Sequence, residues 1–155
     1  DTVEDVLREA EKTAISTHNH PEGVKGAQAT ALAVFLARMG STREDIRSEI
    51  ANRFNYDMDR TCDDIRPAYS FDVTCQGSVP EAIIAFLDST NFESAIRLAI
   101  SLGGDADTLA CIAGGIAQAF YGEIPQPIQE EAWKRLPNSM QTVVEQFNVN
   151  YGVLQ

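Results

Sequence analysis

The densest group of hard oxygen donors in the chain is Gly103-Gly104-Asp105-Ala106-Asp107-Thr108. Two carboxylates and a hydroxyl fall within one helical turn, just after a glycine pair that stops the preceding helix. They therefore collect beside the positive end of the next helix dipole. Oxygens of this kind suit Mg²⁺ or Mn²⁺, which prefer carboxylate, hydroxyl and water ligands. Aspartate is also a favoured N-cap, and capping alone explains Asp105 well and Asp107 less well.

The two histidines, His18 and His20, lie in Thr17-His18-Asn19-His20-Pro21-Glu22-Gly23, a loop stiffened by its proline. A zinc site needs three or four N or S ligands, and no cysteine is near in sequence, so that reading is weak. A surface polar role and a functional one stay open, because functional residues concentrate on loops held by rigid helices. Tyr69 and Phe71 have the ring faces to stack on a planar ligand, and the same faces suit a core. Ser78 reads best as a helix N-cap.

The elements that must hold these residues are helical. Val3, Val6, Leu7, Ala10 and Ala14 recur at helical spacing behind Thr2 and Asp5, predicting a capped helix to about Ser16. A second helix, small and apolar through Ala27, Ala31, Val34 and Phe35, is expected from about Val24 to Met39, with Gly40 stopping it. Ser41 or Thr42 then caps a helix through about Phe54. From Asn55 to Gly77 the pattern weakens to a short helix near Arg60 to Ile65 and an irregular stretch Tyr69 to Val73. Ser78, Pro80 and Glu81 predict a helix through about Leu87, and Asn91 with Ser94 another through Leu102. Asp105 begins a long apolar helix to about Tyr121, and Pro127 and Pro137 precede two amphipathic helices. With no Gly/Ser linker and no internal repeat, a single all-α domain over residues 1–155 is expected.

Composition bounds the partners. The 155 residues carry 12 Lys and Arg against 23 Asp and Glu, a net charge of −11. Such a surface repels nucleic acid, and an anionic ligand needs a bound divalent cation to bridge the repulsion. Hydrophobic residues at 44% and charged residues at 23% fit a folded globular chain rather than a disordered one. Cys62, Cys75 and Cys111 are odd in number and lack CxxC spacing, which suits reduced thiols and a cytoplasmic setting. The longest uncharged stretch, Thr108 to Gly122, is too short to span a membrane. The chain opens on Asp1 inside a helical pattern, as a piece of something longer would.

The Thr17-to-Gly23 loop followed by a small-residue helix, and Ser101-Leu102-Gly103-Gly104-Asp105-Ala106-Asp107-Thr108 followed by Ala113-Gly114-Gly115-Ile116-Ala117, resemble the ADP-ribosylglycohydrolase family in content, order and interval. The resemblance covers nearly the whole chain and the C-terminal half to two thirds of a typical member. It implies a compact orthogonal helical bundle. It also implies a binuclear Mg²⁺ site, with Mn²⁺ as the alternative metal, that hydrolyses the glycosidic bond joining ADP-ribose to a protein side chain. Asp105, Asp107 and Thr108 would be metal ligands, with Asp105 and Asp107 the catalytic pair and Asp107 the residue touching both ions. His18 would border the ribose and Phe71 the adenine. The family's N-terminal Thr-Asp-Asp run is absent, and Asp63-Asp64, the only Asp-Asp pair, stands in the wrong order and context. A noncatalytic ADP-ribose-binding or structural module is therefore the alternative. Uncovered helix faces predict self-association or pairing with the missing N-terminal portion.

Overall fold

In the computed structural model, which describes residues 2–151, the helices are α1 (Val3–Ile15), α2 (Pro21–Arg38), α3 (Arg43–Phe54), α4 (Cys62–Ile65), α5 (Cys75–Leu87), α6 (Phe92–Ser101), α7 (Ala106–Tyr121), α8 (Gln126–Arg135) and α9 (Asn138–Tyr151). No strand occurs among the described residues, so the fold is all-α. Four of these helices start with the same reciprocal motif. Thr2, Thr42, Thr61 and Asn91 each accept from the backbone N–H three residues on, and the side chains of Asp5, Asp45, Asp64 and Ser94 bond back to the cap backbone. Each motif satisfies two helix-end donors that would otherwise lack partners.

Two helix starts differ from the sequence expectation. Helix α2 begins at Pro21 rather than Val24, because the His20 Nδ1 accepts from Glu22 N–H at 3.2 Å and Pro21 takes the first helical position. Helix α5 begins at Cys75 rather than Ser78. Thr74 is its N-cap, its Oγ1 accepting from Gly77 N–H at 3.2 Å, and Ser78 lies inside the helix, donating to the Thr74 carbonyl at 2.8 Å. Glu81, which the sequence pairs with Ser78, instead receives a bidentate grip from Arg60, at 2.8 and 3.0 Å.

The chain divides into two compact units, residues 1–123 and 124–155. In the first, α2, α5 and α7 pack against one another; α1 and α3 lie on α2, α6 lies on α5 and α7, and α4 lies on α5. Helix α5 is buried on every face from Ser78 to Leu87, which accounts for its nearly uninterrupted apolar run. Leu32 and Ala33 from α2, Ile83, Ile84 and Phe86 from α5, and Leu109 and Ile116 from α7 are fully enclosed. In the second unit, α8 and α9 are joined by Gln141, whose amide donates to the carbonyls of Trp133 and Leu136. No described helix is long and apolar enough to cross a membrane.

Two consequences for stability can be measured. Arg60→Ala leaves the Glu81 carboxylate, 9% exposed, without its partner. Urea unfolding should register a loss of about 2 kcal/mol, below the range for a fully enclosed pair because Arg60 is 34% exposed. The second concerns acid. Thr2 holds the Asp5 carboxyl down from its ordinary 3.8 to about 2, first through its backbone N–H, with Arg8 and the Thr2 hydroxyl adding to this. Thr42 and Thr61 similarly lower Asp45 and Asp64. A depressed carboxyl contributes stability above its unfolded value and loses it as the pH falls through the folded one. The first turns of α1, α3 and α4 should therefore lose amide-exchange protection below the ordinary carboxylate range, before the start of α6, whose Asn91–Ser94 cap does not titrate. Simultaneous fraying of all four would contradict this.

Candidate active site

The turn between α6 and α7 carries the cluster of oxygen donors Asp105, Asp107 and Thr108. Gly103 and Gly104 both take left-handed backbone angles, with φ +80° and +62°, and reverse the chain between the two helices. Asp105 is the N-cap residue of α7 by position, yet its side chain makes no capping hydrogen bond. The carboxylate is thus spared the structural duty that capping would assign to it. Asp107 and Thr108 lie exposed in the first turn of α7, and Asp105 is half-buried.

Asp105 and Asp107 stand two residues apart at the start of α7. Hydrogen bonding to Asp105, and then to the backbone N–H groups of Asp107 and Thr108, holds the Asp107 carboxyl below the usual carboxylate range. Among the described residues neither Asp105 nor Asp107 forms an ion pair with a lysine or arginine. Two carboxylates within one helical turn repel when both are ionised, and a cation relieves them. No third His, Cys, Asp or Glu joins them among the described residues. Mg²⁺ is commonly held by one or two carboxylates, with water and ligand phosphate oxygens completing its octahedron, so Asp105, Asp107 and the Thr108 hydroxyl fit one part of such a shell. A pair of ions needs more oxygens than this turn carries.

Phe71 is brought to the same turn. A Cβ added to Gly104 would lie 2.8 Å from Tyr69 Cε1, 3.0 Å from the Ser70 carbonyl oxygen and 3.4 Å from Phe71 Cα. The segment 69–71 therefore rests on Gly104, and Phe71 is 68% exposed. Asp72 secures the next stretch of chain, its Oδ1 accepting from Thr74 N–H at 2.7 Å. The Asp72 carboxyl fills the space a Cβ on Gly77 would occupy.

The histidines border a different space. A cleft of about 1150 Å³, mostly apolar, opens between α1, α2 and the first turn of α5. His18 and His20 both line it, with Gly26, Cys75, Gln76 and, from α7, Ile112. His18 is exposed, and its Nδ1 lies 3.0 Å from Thr17 Oγ1. His20 is the cap of α2. The dicarboxylate turn and Phe71 do not line this cleft, and Ile112 is the α7 residue that reaches it. Cys75 and Gln76 carry no local sequence signal for this role; their placement at the start of α5, against Gly26, comes from packing that no local pattern encodes.

With this geometry in place, the comparisons with known proteins identify the class: the ADP-ribosylglycohydrolase family model matches residues 1–151, and the chain belongs to that family. An ADP-ribosylhydrolase ARH3 from Xenopus tropicalis is 33% identical over 114 residues, covering 66% of this chain and 26% of the relative. An ADP-ribosylarginine hydrolase Tri1 from Pseudomonas putida (strain GB-1) is 32% identical over 133 residues, covering 77% and 34%. An ADP-ribosylhydrolase ARH3 from Gallus gallus is 28% identical and covers 94% of this chain and 51% of the relative. The chain thus spans between about a quarter and about a half of the length of these relatives. No solved structure matches it.

The two histidines should separate cleanly by substitution. His20→Ala removes a side-chain cap and should lower stability by about 1 kcal/mol with faster amide exchange at the start of α2, whereas His18→Ala should leave thermal unfolding unchanged. Equal losses from both would assign His18 a structural role.

Proposed function

We propose that this chain forms part of a hydrolase that releases ADP-ribose from modified proteins by cleaving the glycosidic bond, with Asp105, Asp107 and Thr108 as its share of a Mg²⁺ or Mn²⁺ site. One observation carries the reading: Asp105 occupies the cap position of α7 without capping, with Asp107 and Thr108 exposed in the turn that follows. Membership of the family supports the activity, and the named relatives are described as hydrolases of ADP-ribose linkages.

Each residue has a task set by its place. The ligand carries a diphosphate and the protein a net charge of −11, so approach has to be made at a positive feature. The positive end of the α7 dipole provides part of it. Asp105 and Asp107 would hold the metal through their carboxylates, and the Thr108 hydroxyl would add a neutral donor. When bound, the metal supplies Lewis-acid stabilisation of developing charge and lowers the pKa of a bound water. His18, exposed on its loop, is available to hydrogen-bond ribose hydroxyls. Phe71 presents a ring face beside the turn for the adenine. Water, the ligand and residues outside this turn would supply the remaining oxygens.

A second reading, an ADP-ribose-binding module without hydrolysis, is favoured because no group of three or more His, Cys, Asp or Glu placed to hold a metal ion occurs among the described residues. The assay that separates them measures ADP-ribose release from a mono-ADP-ribosylated protein, by this chain and by the open reading frame that encodes it, with Mg²⁺ and with a chelator. The hydrolase reading expects Mg²⁺-dependent release that Asp107→Ala reduces by about 10²-fold or more, in keeping with loss of a transition-state electrostatic contact. Wild-type turnover in that variant removes Asp107 from the mechanism. Binding of ADP-ribose with no release by either protein supports the module instead.

A further inference from the structure

The segment that touches the dicarboxylate turn is itself anchored at several points. The backbone N–H of Tyr69 donates to the Ile65 carbonyl at 3.1 Å, so the tyrosine is tied to the last residue of the short helix α4. That helix is tied to the end of α5 through Cys62 N–H and Asp88 Oδ2 at 2.7 Å, and to the end of α6 through Arg66 and the Ser101 hydroxyl. From this base the Tyr69 ring reaches Gly104, where a Cβ would stand 2.8 Å from its Cε1. Its hydroxyl continues past the turn and donates to the Gly77 carbonyl, in the first turn of α5, at 3.0 Å. One half-buried side chain therefore spans the Gly103-Gly104 reversal and the start of a buried helix.

We propose that Tyr69 is a positioning residue for the Asp105–Asp107 pair: its ring braces Gly104 from one side while its hydroxyl fixes the brace to α5, so that the two carboxyls are presented in one orientation. The inference rests on the reading of that pair as a metal site, and it assigns the work of orienting it to a residue that makes no metal contact.

The local chemistry suits the role. Gly104 is left-handed and adjoins Asp105, so a small rotation there redirects the cap residue and its carboxyl. With the two glycines free to rotate, something outside the turn has to limit them, and a planar ring in contact with the Gly104 backbone does so. Burial chiefly, and then the nearby Glu81, Asp72 and Asp105 charges, push the Tyr69 phenol above its ordinary value. The hydroxyl therefore stays protonated and able to donate across the neutral range. Buried Glu81 is in turn held by Arg60.

The test compares Tyr69→Leu, which removes the ring, with Tyr69→Phe, which keeps it and loses only the donor. Two readouts on the whole chain are needed: amide and carboxyl chemical shifts without metal, and Mn²⁺ affinity from water-proton relaxation. Tyr69→Leu should shift the resonances of 103–108 and speed their amide exchange, leaving α2 as in the wild type. Tyr69→Phe should restore most of both. Mn²⁺ affinity should fall about tenfold in Tyr69→Leu and recover in Tyr69→Phe, the size expected when a support of a metal ligand is lost. Unchanged 103–108 resonances in Tyr69→Leu, or a loosening spread evenly over α2, α5 and α7, would overturn the proposal. So would equal Mn²⁺ affinity in wild type and Tyr69→Leu, and the metal reading would then survive alone. A wild-type chain that binds no Mn²⁺ but shows the local shifts would sink the metal reading and leave the brace supported.

Discussion

Helix α7 is gripped by α2, α5 and α6, and small residues set how near these helices come. A Cβ at Gly114 would lie 2.8 Å from Ile96 Cδ1 of α6, and one at Gly26 would lie 3.0 Å from Cys75 Cβ at the start of α5. Ala29 and Ala33 of α2 and Ala113 and Ala117 of α7 are fully buried. Helix separation depends on side-chain size at the contact, and a close-packed interior transmits any change in it. The axis of α7 is therefore defined by these contacts, and with it the direction in which Asp105 and Asp107 leave the bundle. The catalytic chemistry proposed for this chain hangs on that close approach more than on any single polar bond.

The carboxylates divide by task, which is informative in so acidic a protein. Asp5, Asp45 and Asp64 complete helix caps, and Glu9, Glu49, Glu93 and Glu131 form short-range surface pairs. Such exposed pairs contribute little individually. Glu81 is different, being buried and held by two bonds from Arg60, and it fastens the 57–61 loop to the central helix. Asp105 makes no cap bond, and among the described residues neither it nor Asp107 has a cationic partner.

Much of the fold was legible because its signals are local. Thr2 with Asp5, Thr42 with Asp45 and Asn91 with Ser94 can be read from three-residue spacing, since the bonds they make close within one turn. The long apolar α7 and the stop at Gly103-Gly104 were equally plain. The misplaced starts of α2 and α5 share one cause. A histidine acting as a cap and a glutamate drawn to a distant arginine both depend on competition between partners, and Ser78 and Glu81 matched a capping pattern whose glutamate was already engaged with Arg60. Asp105 shows the reverse case, a residue of the favoured capping type in the cap position that does not cap.

By itself the sequence determined which atoms are available for chemistry: two carboxylates and a hydroxyl in one turn, a histidine loop, and the family order of those two motifs. These are properties of short segments, set by residue type and by one helical turn of geometry. Only the tertiary structure decided that the Tyr69 ring and the Phe71 backbone meet Gly104 and that Arg60 closes on Glu81. It also decided that His18 and His20 share a cleft with Cys75 while the dicarboxylate turn does not line it. Those relations join residues far apart in the chain, and they exist only because α2, α5 and α7 pack closely enough to bring their ends and loops into contact.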